Sequence, residues 1–344
     1  MRISIVTTIY KAEKDLPRLL DSMMSLKSPD LEFFLIDNGS PDRCGEICEE
    51  YAKNDNRFFI RTLKDNIGYI RARMLGINEC HGDYVGFCDS DDYLEPGGYD
   101  HAAMVLSELK CDLYITSHKV HFGDDVYVIH PPYDTGIYRD NIKEVVLPQA
   151  FGSLKGKDRL HGFMWKHLYR KKLILESGIS LIEDLKPWED QIFNIDFLQH
   201  CHSVLVDNQV IYNYFAKSGS VTRSMIVDFD AEDFWRKTSA LYVEKLSRVS
   251  TSLERLANAN ALMSNLDSLV VCLCKKTELS SKTVARTLRS MLGRDEIANH
   301  ILSDSSCKDL SKRFQFVRYC LKLKLYYLLV FVVRRELRRA MIIS

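Results

Sequence analysis

Over its first 120 residues the chain alternates two periods of apolar spacing. Ile3–Ile9, Leu31–Ile36, Arg57–Leu63 and Tyr84–Cys88 are apolar runs of strand length. Between them, Asp15–Leu26 carries Leu16, Leu19, Leu20, Met23 and Leu26 at helical spacing. Asp42–Ala52 reads as a helix opened by an acidic cap, and Ile67–Glu79 as another. Strand–helix alternation predicts βαβ units, a mainly parallel sheet flanked by helices, and a ligand crevice beyond the carboxyl ends of its strands. The pattern is then mixed, with strands expected at 112–117, 125–129, 203–206 and 210–215 and a helix near 191–199. From about 228 it turns helical: Phe229–Leu246, Leu253–Cys274 and Lys282–Leu292. The Ser/Gly-rich run KSGSVTRS places a boundary near Met225–Asp230, giving a body of 1–227, in halves 1–96 and 97–227, and a helical region of 228–344.

The two most polar turns fall at the same predicted edge. The second strand runs into Asp37-Asn38-Gly39-Ser40 and the fourth into Asp89-Ser90-Asp91-Asp92. Three carboxylates in four residues repel one another unless a cation neutralises them, and oxygen ligands select Mg²⁺ or Mn²⁺. Such an ion completes its shell with water and substrate phosphate, so a nucleoside diphosphate would fit there. An acidic turn capping the next helix has the same composition. At the neighbouring turn, Asp37 can accept from a ribose hydroxyl or base N–H, and the Asn38 amide matches the donor–acceptor edge of uracil. Asn-Gly is equally a turn signal. Asp65-Asn66-Ile67-Gly68-Tyr69-Ile70-Arg71-Ala72-Arg73 reads as a loop entering a helix, whose N-terminus and two guanidinium groups could clamp a diphosphate, or present a solvated face.

Composition narrows the class. With 344 residues, 46% apolar and 27% charged, the chain is long enough for a full core and exceeds the usual single domain. Lys+Arg 47 against Asp+Glu 47 argues against a generic nucleic-acid binder. The balance hides an asymmetry: Lys308–Ser344 holds ten basic and two acidic residues, +8, leaving −8 on residues 1–307. Ten cysteines without a CxxC speak against a zinc ribbon, and with no secretory pattern at the start they fit a reducing cytosol. The longest apolar run, Leu325–Val333, has nine residues, against about 20 for a membrane span. Flanked by Lys and Arg, the basic amphipathic tail 308–344 suits a helix lying on an anionic leaflet, or one packed on protein with its charges outward.

The runs ISIVTTIYKAEKDLPRLLDSM, FFLIDNGSPD and DNIGYIRARMLGINECHGDYVGFCDSDDYLEP resemble the N-terminal half of glycosyltransferase family 2. The resemblance is close over residues 2–96. It continues more loosely to about 224 through MWKHLYRKKLI, KPWEDQIFNIDFL and YNYFAKSGSVTRS. It implies an α/β fold of the GT-A (Rossmann-like) type, with a C-terminal helical extension. It also implies roles. Thr8 and Tyr10 contact the uridine; Asp37 and Asn38 read the base, although the family more often has a second Asp at Asn38. Asn66 and Ser90 fall in the donor loops. Arg73 matches an Ala-Arg-Asn motif in which Met74 replaces the Asn, and contacts the donor. Asp89 and Asp91 form the DxD pair for metal and ribose, with Asp92 as a further metal ligand.

In Trp188-Glu189-Asp190 the family's Asp is the general base, which maps to Asp190, with Trp188 and Glu189 on the acceptor side. Asp190 could equally cap the helix beginning near Gln191, and Trp188 could be core. Lys217 and Arg223 flank a Ser/Gly/Thr loop able to close over a diphosphate. The implied enzyme is an inverting hexosyltransferase dependent on Mn²⁺ or Mg²⁺. It would use a UDP-sugar donor and a glycan or lipid-linked acceptor in bacterial surface polysaccharide, capsule or lipooligosaccharide assembly. It would be cytoplasmic and peripheral on the inner face of the membrane. The alternative is a catalytically inactive nucleotide-sugar-binding scaffold. A nucleotidyltransferase lacks its glycine-rich, lysine-bearing phosphate loop at the first strand.

Overall fold

The computed structural model describes residues 1–146, 162–183, 189–215, 230–246, 252–293, 295, 298–299, 302 and 311–343. It divides into two compact units, Met1–Ile142 with Gly162–Ser218, and Lys143–His161 with Gly219–Ser344. The boundary expected at Met225–Asp230 falls, up to residue 229, outside the described residues.

The first unit is built on one sheet. Strands β1 (Ile3–Ile9), β2 (Leu31–Asp37), β3 (Phe58–Thr62) and β4 (Tyr84–Asp89) are parallel, in the order β3-β2-β1-β4. Helices α1 (Leu16–Ser25), α2 (Cys44–Asn54) and α3 (Tyr69–Glu79) connect them. Ile3, Ile5 and Ile9 of β1, Phe33 and Leu35 of β2 and Leu16, Leu19, Leu20 and Met23 of α1 are fully buried, so both spacings converge on one core. The pairing register carries the functional consequence: Ile9 lies beside Asp37 and Thr8 beside Asp89. Both polar turns therefore leave the sheet at one edge, as the βαβ reading requires.

Helix α3 approaches β1 closely at Gly76. A Cβ there would stand 2.4 Å from Val6 Cγ1 and 2.9 Å from Ile36 Cδ1. Gly76→Ala is therefore expected to overpack the core and cost about 1–3 kcal/mol, read as a lower urea midpoint with an unchanged slope.

Beyond β4 the sheet continues through β5 (Tyr93–Leu94), β6 (Leu113–Phe122), β7 (Asp125–Ile129), β8 (Gly136–Tyr138), β9 (His167–Arg170) and β10 (Val204–Phe215), with α4 (Gly98–Leu109) following β5. β9 lies antiparallel between β4 and β6, and β6 pairs parallel with β10. The two strands expected at 203–206 and 210–215 are one strand. Polar Asp207-Asn208-Gln209 mark register shifts between Val206 and Val210, and a further shift precedes Tyr212. A short helix, α5 (Lys171–Ser177), follows β9, and α6 (Glu189–His200) precedes β10.

The second unit is helical: α7 (Ala231–Leu246), α8 (Ser252–Lys275), α9 (Ser281–Leu292), α10 (Lys312–Lys322) and α11 (Tyr326–Ile343). Its core draws Leu266, Leu269 and Val270 from α8, Val284 and Leu288 from α9, Val317 from α10 and Leu329, Val330 and Val333 from α11. The basic tail, expected as one helix, is broken at Leu323–Leu325, where Lys324 takes a left-handed φ of 57°. Among the described residues no helix is long and apolar enough to cross a membrane.

Candidate active site

The turn after β2 is closed by glycine. Gly39 has φ +66°, and a Cβ on it would stand 2.6 Å from the Asp65 carbonyl carbon, so the turn lies directly against the loop entering α3. Asn38 stitches the two together. Its Nδ2 donates to Asn66 Oδ1 at 3.2 Å, and its Oδ1 accepts from the Ile67 N–H at 3.0 Å. Asn66 Oδ1 also accepts from the Gly68 N–H at 2.8 Å. Asn38 is 2% exposed with both ends of its amide engaged. Its amide thus holds the turn against the loop entering α3. Asp37 is buried, accepts from the Ser40 N–H at 2.9 Å, and has its pKa raised by burial. Thr8 is half-buried at the end of β1, and Tyr10 is exposed with the Lys11 ammonium 5.1 Å from its ring centroid.

The acidic turn after β4 splits into two kinds of carboxylate. Asp89, Ser90 and Asp91 are partly exposed, whereas Asp92 is 1% exposed. Asp92 Oδ2 accepts from the Tyr212 hydroxyl at 2.7 Å and Oδ1 from the Phe215 N–H at 2.8 Å. The Asp89 N–H in turn donates to the Tyr212 hydroxyl at 3.1 Å. Asp92 thus ties the turn to β10, its carboxylate facing inward. Among the described residues no three His, Cys, Asp or Glu side chains converge on a metal position. Mg²⁺ and Mn²⁺ sites in nucleotide enzymes commonly take one or two carboxylates and substrate phosphate, which the partly exposed Asp89 and Asp91 fit.

Burial, with Asp89 nearby, pushes the Asp92 pKa up to about 8 from an ordinary 3.8. Between those values the folded chain holds a proton that the unfolded chain releases, so stability falls as pH rises from 4 to 8. Asp92→Asn keeps the shape without the charge. Its urea-derived stability is expected to fall less steeply over that range, by more than about 1 kcal/mol.

Arg73 is the centre of the site. It is 8% exposed; its Nη2 donates to Asp89 Oδ1 at 2.6 Å and its Nη1 to Asp190 Oδ1 at 3.0 Å. Its guanidinium lies 5.4 Å from the Tyr69 ring centroid, and the Tyr69 hydroxyl donates to Glu189 Oε1 at 2.6 Å. The Met164 N–H donates to Asp190 Oδ2 at 3.3 Å. One helix, α3, therefore joins the acidic turn after β4 to the start of α6. Burial disfavours the Arg73 charge, but Asp190, Asp89 and Glu189 more than offset that and keep it protonated. For Asp190 burial dominates: Arg73 lowers its pKa, Glu189 and Asp89 raise it, and it stands at about 7. Glu189 is buried, and its Oε2 has no partner among the described residues.

Of the two arginines expected to clamp a diphosphate, only Arg73 turns inward; Arg71 is exposed and bridges Glu183 at 2.8 Å. Trp188, Lys217 and Arg223 lie outside the described residues. Two features carried no clear sequence signal. Arg18 of α1 donates to the Asp91 carbonyl at 2.5 Å while lying 4.1 Å above the Phe215 ring, which supports the acidic turn from below. Trp165 stacks on Tyr212 at 4.4 Å and on Phe163 at 5.1 Å. The alternation of Tyr212 and Tyr214 on one strand was the single hint of this column.

The family model described as Glycosyl transferase family 2 matches residues 4–159. The uncharacterized glycosyltransferase EpsJ of Bacillus subtilis strain 168 is 27% identical over 223 residues, covering 64% of this chain and 62% of that protein. The chain thus spans less than two thirds of EpsJ. The putative glycosyltransferase EpsH of the same organism is 26% identical over 340 residues, 95% and 92% of the two chains. The crystal structure of S. aureus TarS 1–349 in complex with UDP superposes with a TM-score of 0.70 at 19% identity, over 99% of this chain and 92% of that one. The α/β fold with its helical C-terminal portion is that of TarS. The family match over residues 4–159, which hold both polar turns, together with these relatives, makes the chain similar to glycosyltransferase family 2.

Proposed function

We propose that this chain is a family 2 glycosyltransferase, inverting and metal-dependent. It moves a hexose or N-acetylhexosamine from a UDP-sugar to a hydroxyl of a glycan or lipid-linked acceptor in bacterial surface polysaccharide, capsule or lipooligosaccharide assembly. The observation that carries the reading is the Arg73 bridge between Asp89 and Asp190. It sets a carboxylate suited to a donor-bound cation and a buried carboxylate of raised pKa on either side of one guanidinium. The binding of UDP by TarS supports the choice of nucleotide.

In this reading Asp89 and Asp91 would hold Mn²⁺ or Mg²⁺, an ion that would supply positive charge to the diphosphate leaving group. Thr8, Tyr10, Asp37, Asn66 and Ser90 line the donor's nucleoside side. Asp190 takes the proton of the acceptor hydroxyl as that oxygen attacks the anomeric carbon and the bond to the diphosphate breaks. Glu189 offers its unpartnered Oε2 to an acceptor hydroxyl, held in place by Tyr69. Trp188 offers an apolar face to the acceptor ring. The setting is cytoplasmic, peripheral on an anionic membrane reached through the basic tail 308–344.

The test is a donor screen reading released UDP with oligosaccharide and lipid-linked acceptors. A UDP-sugar should support transfer that Asp91→Ala and Asp190→Ala both abolish. Normal transfer by both variants overturns the reading, and nucleotide binding without turnover across the acceptor panel favours an inactive scaffold.

A further inference from the structure

The break in the tail changes what the tail can do. Helices α10 and α11 meet at an elbow, Leu323–Leu325, and each has one committed face. Phe314, Val317, Cys320 and Leu321 of α10 and Leu329, Val330 and Val333 of α11 are buried in the helical unit. Ion pairs and hydrogen bonds lock that orientation. Arg313 reaches Asp267 of α8 at 2.8 Å and Glu336 of α11 at 2.6 Å. Arg334 donates to the Leu279 carbonyl at 2.6 Å, the Lys276 carbonyl at 3.0 Å and Ser281 Oγ at 2.9 Å.

The opposite face is apolar where solvent would favour polar residues. Tyr319, Leu323, Tyr327 and Phe331, spaced by four, are each half exposed or more, with Leu325 and Leu328 beside them. Exposed Lys322 and Lys324 flank the elbow, and exposed Arg335 and Arg338 follow the ridge. A cavity of about 150 Å³ opens at the elbow, lined by Lys322, Lys324 and Tyr326 over Leu292, Leu302 and Leu321.

We propose that this elbow docks on an anionic lipid surface, with the Tyr319–Phe331 ridge entering the headgroup boundary and a headgroup phosphate seated between Lys322 and Lys324. The proposal rests on the peripheral setting assigned above to the tail, and not on the catalytic assignment. Aromatic and aliphatic residues on one side with basic residues at the flanks are the chemistry of an interfacial helix. A second copy of the chain is a poor occupant, because it would bring one +8 tail against another. Because its other face is held by the protein, the contact is a tangential one of a few side chains rather than an embedded helix.

The full chain is floated with vesicles of phosphatidylglycerol and phosphatidylcholine, 1:1, and with phosphatidylcholine alone. At least tenfold stronger binding to the anionic vesicles is expected, weakened by 0.5 M NaCl. Tyr327→Ser/Phe331→Ser and, separately, Lys322→Gln/Lys324→Gln should each reduce it about tenfold. Both keep the wild-type circular dichroism, because the replaced side chains are exposed. Equal binding to both vesicles, no binding to either, or undiminished binding by both variants overturns the proposal. So does concentration-dependent dimerisation that the Tyr327→Ser/Phe331→Ser change abolishes. UDP release in the absence of vesicles should not change in either variant, which separates failure of this surface from failure of the catalytic reading.

Discussion

Asp190→Asn should lower the transfer rate by about 10²–10⁴-fold while leaving nucleotide binding within a factor of about two. The amide keeps the size of the carboxylate and can still meet the Met164 N–H that reaches Asp190 Oδ2 at 3.3 Å. What it loses is the ability to accept a proton. The pH profile sharpens this expectation. Burial holds the Asp190 pKa at about 7, and the base must be ionised to act. In the wild type kcat should therefore rise about tenfold per unit below pH 7 and level off above it. The residual activity of the variant should lack that acidic limb. A helix cap would also tolerate Asn, so a purely structural role predicts normal kcat at every pH.

Arg73→Met is expected to damage both stability and rate, and to do so in a pH-dependent way. It removes the cation between two carboxylates while preserving much of the side chain's bulk. Breaking a buried ion pair from one side costs about 3–5 kcal/mol when the remaining charge cannot be relieved. Here it can be relieved in part: Asp190 takes up a proton more readily once Arg73, which lowers its pKa, is gone. The loss in urea-derived stability should consequently be larger at pH 8 than at pH 6. The acidic limb of any remaining activity should move to higher pH. Arg73→Lys can keep one of the contacts at 2.6 and 3.0 Å but not both, and should fall between.

Legibility in the sequence followed periodicity. β1–β4 and α1–α3 appear within two residues of their expected ends, because buried parallel strands and amphipathic helices write two distinct spacings. The same logic put both polar turns at one sheet edge, which the Thr8–Asp89 and Ile9–Asp37 registers bear out. β9 carried no such signal. Its four residues, His167–Arg170, are too few for a period, and its place between β4 and β6 is a tertiary fact. Side-chain facing within turns was equally hidden. Asp91 and Asp92 are adjacent and chemically identical, yet a hydroxyl from β10 draws only Asp92 inward. The hydrogen-bonding capacity of Asn38 is legible in its side chain, but its partners at Asn66 and Ile67, 28 and 29 residues away, are not. The bridge through Arg73 spans 117 residues to Asp190, so no local pattern could announce it.

The central claim is that one guanidinium separates a donor-binding carboxylate turn from a proton-accepting carboxylate. The most direct measurement is calorimetric titration of UDP, with and without Mn²⁺, into the wild type, Asp91→Ala and Asp190→Asn. Mn²⁺-dependent UDP binding should be lost in Asp91→Ala and retained in Asp190→Asn. Loss of that binding in both variants, or its retention in both, would contradict the division of labour.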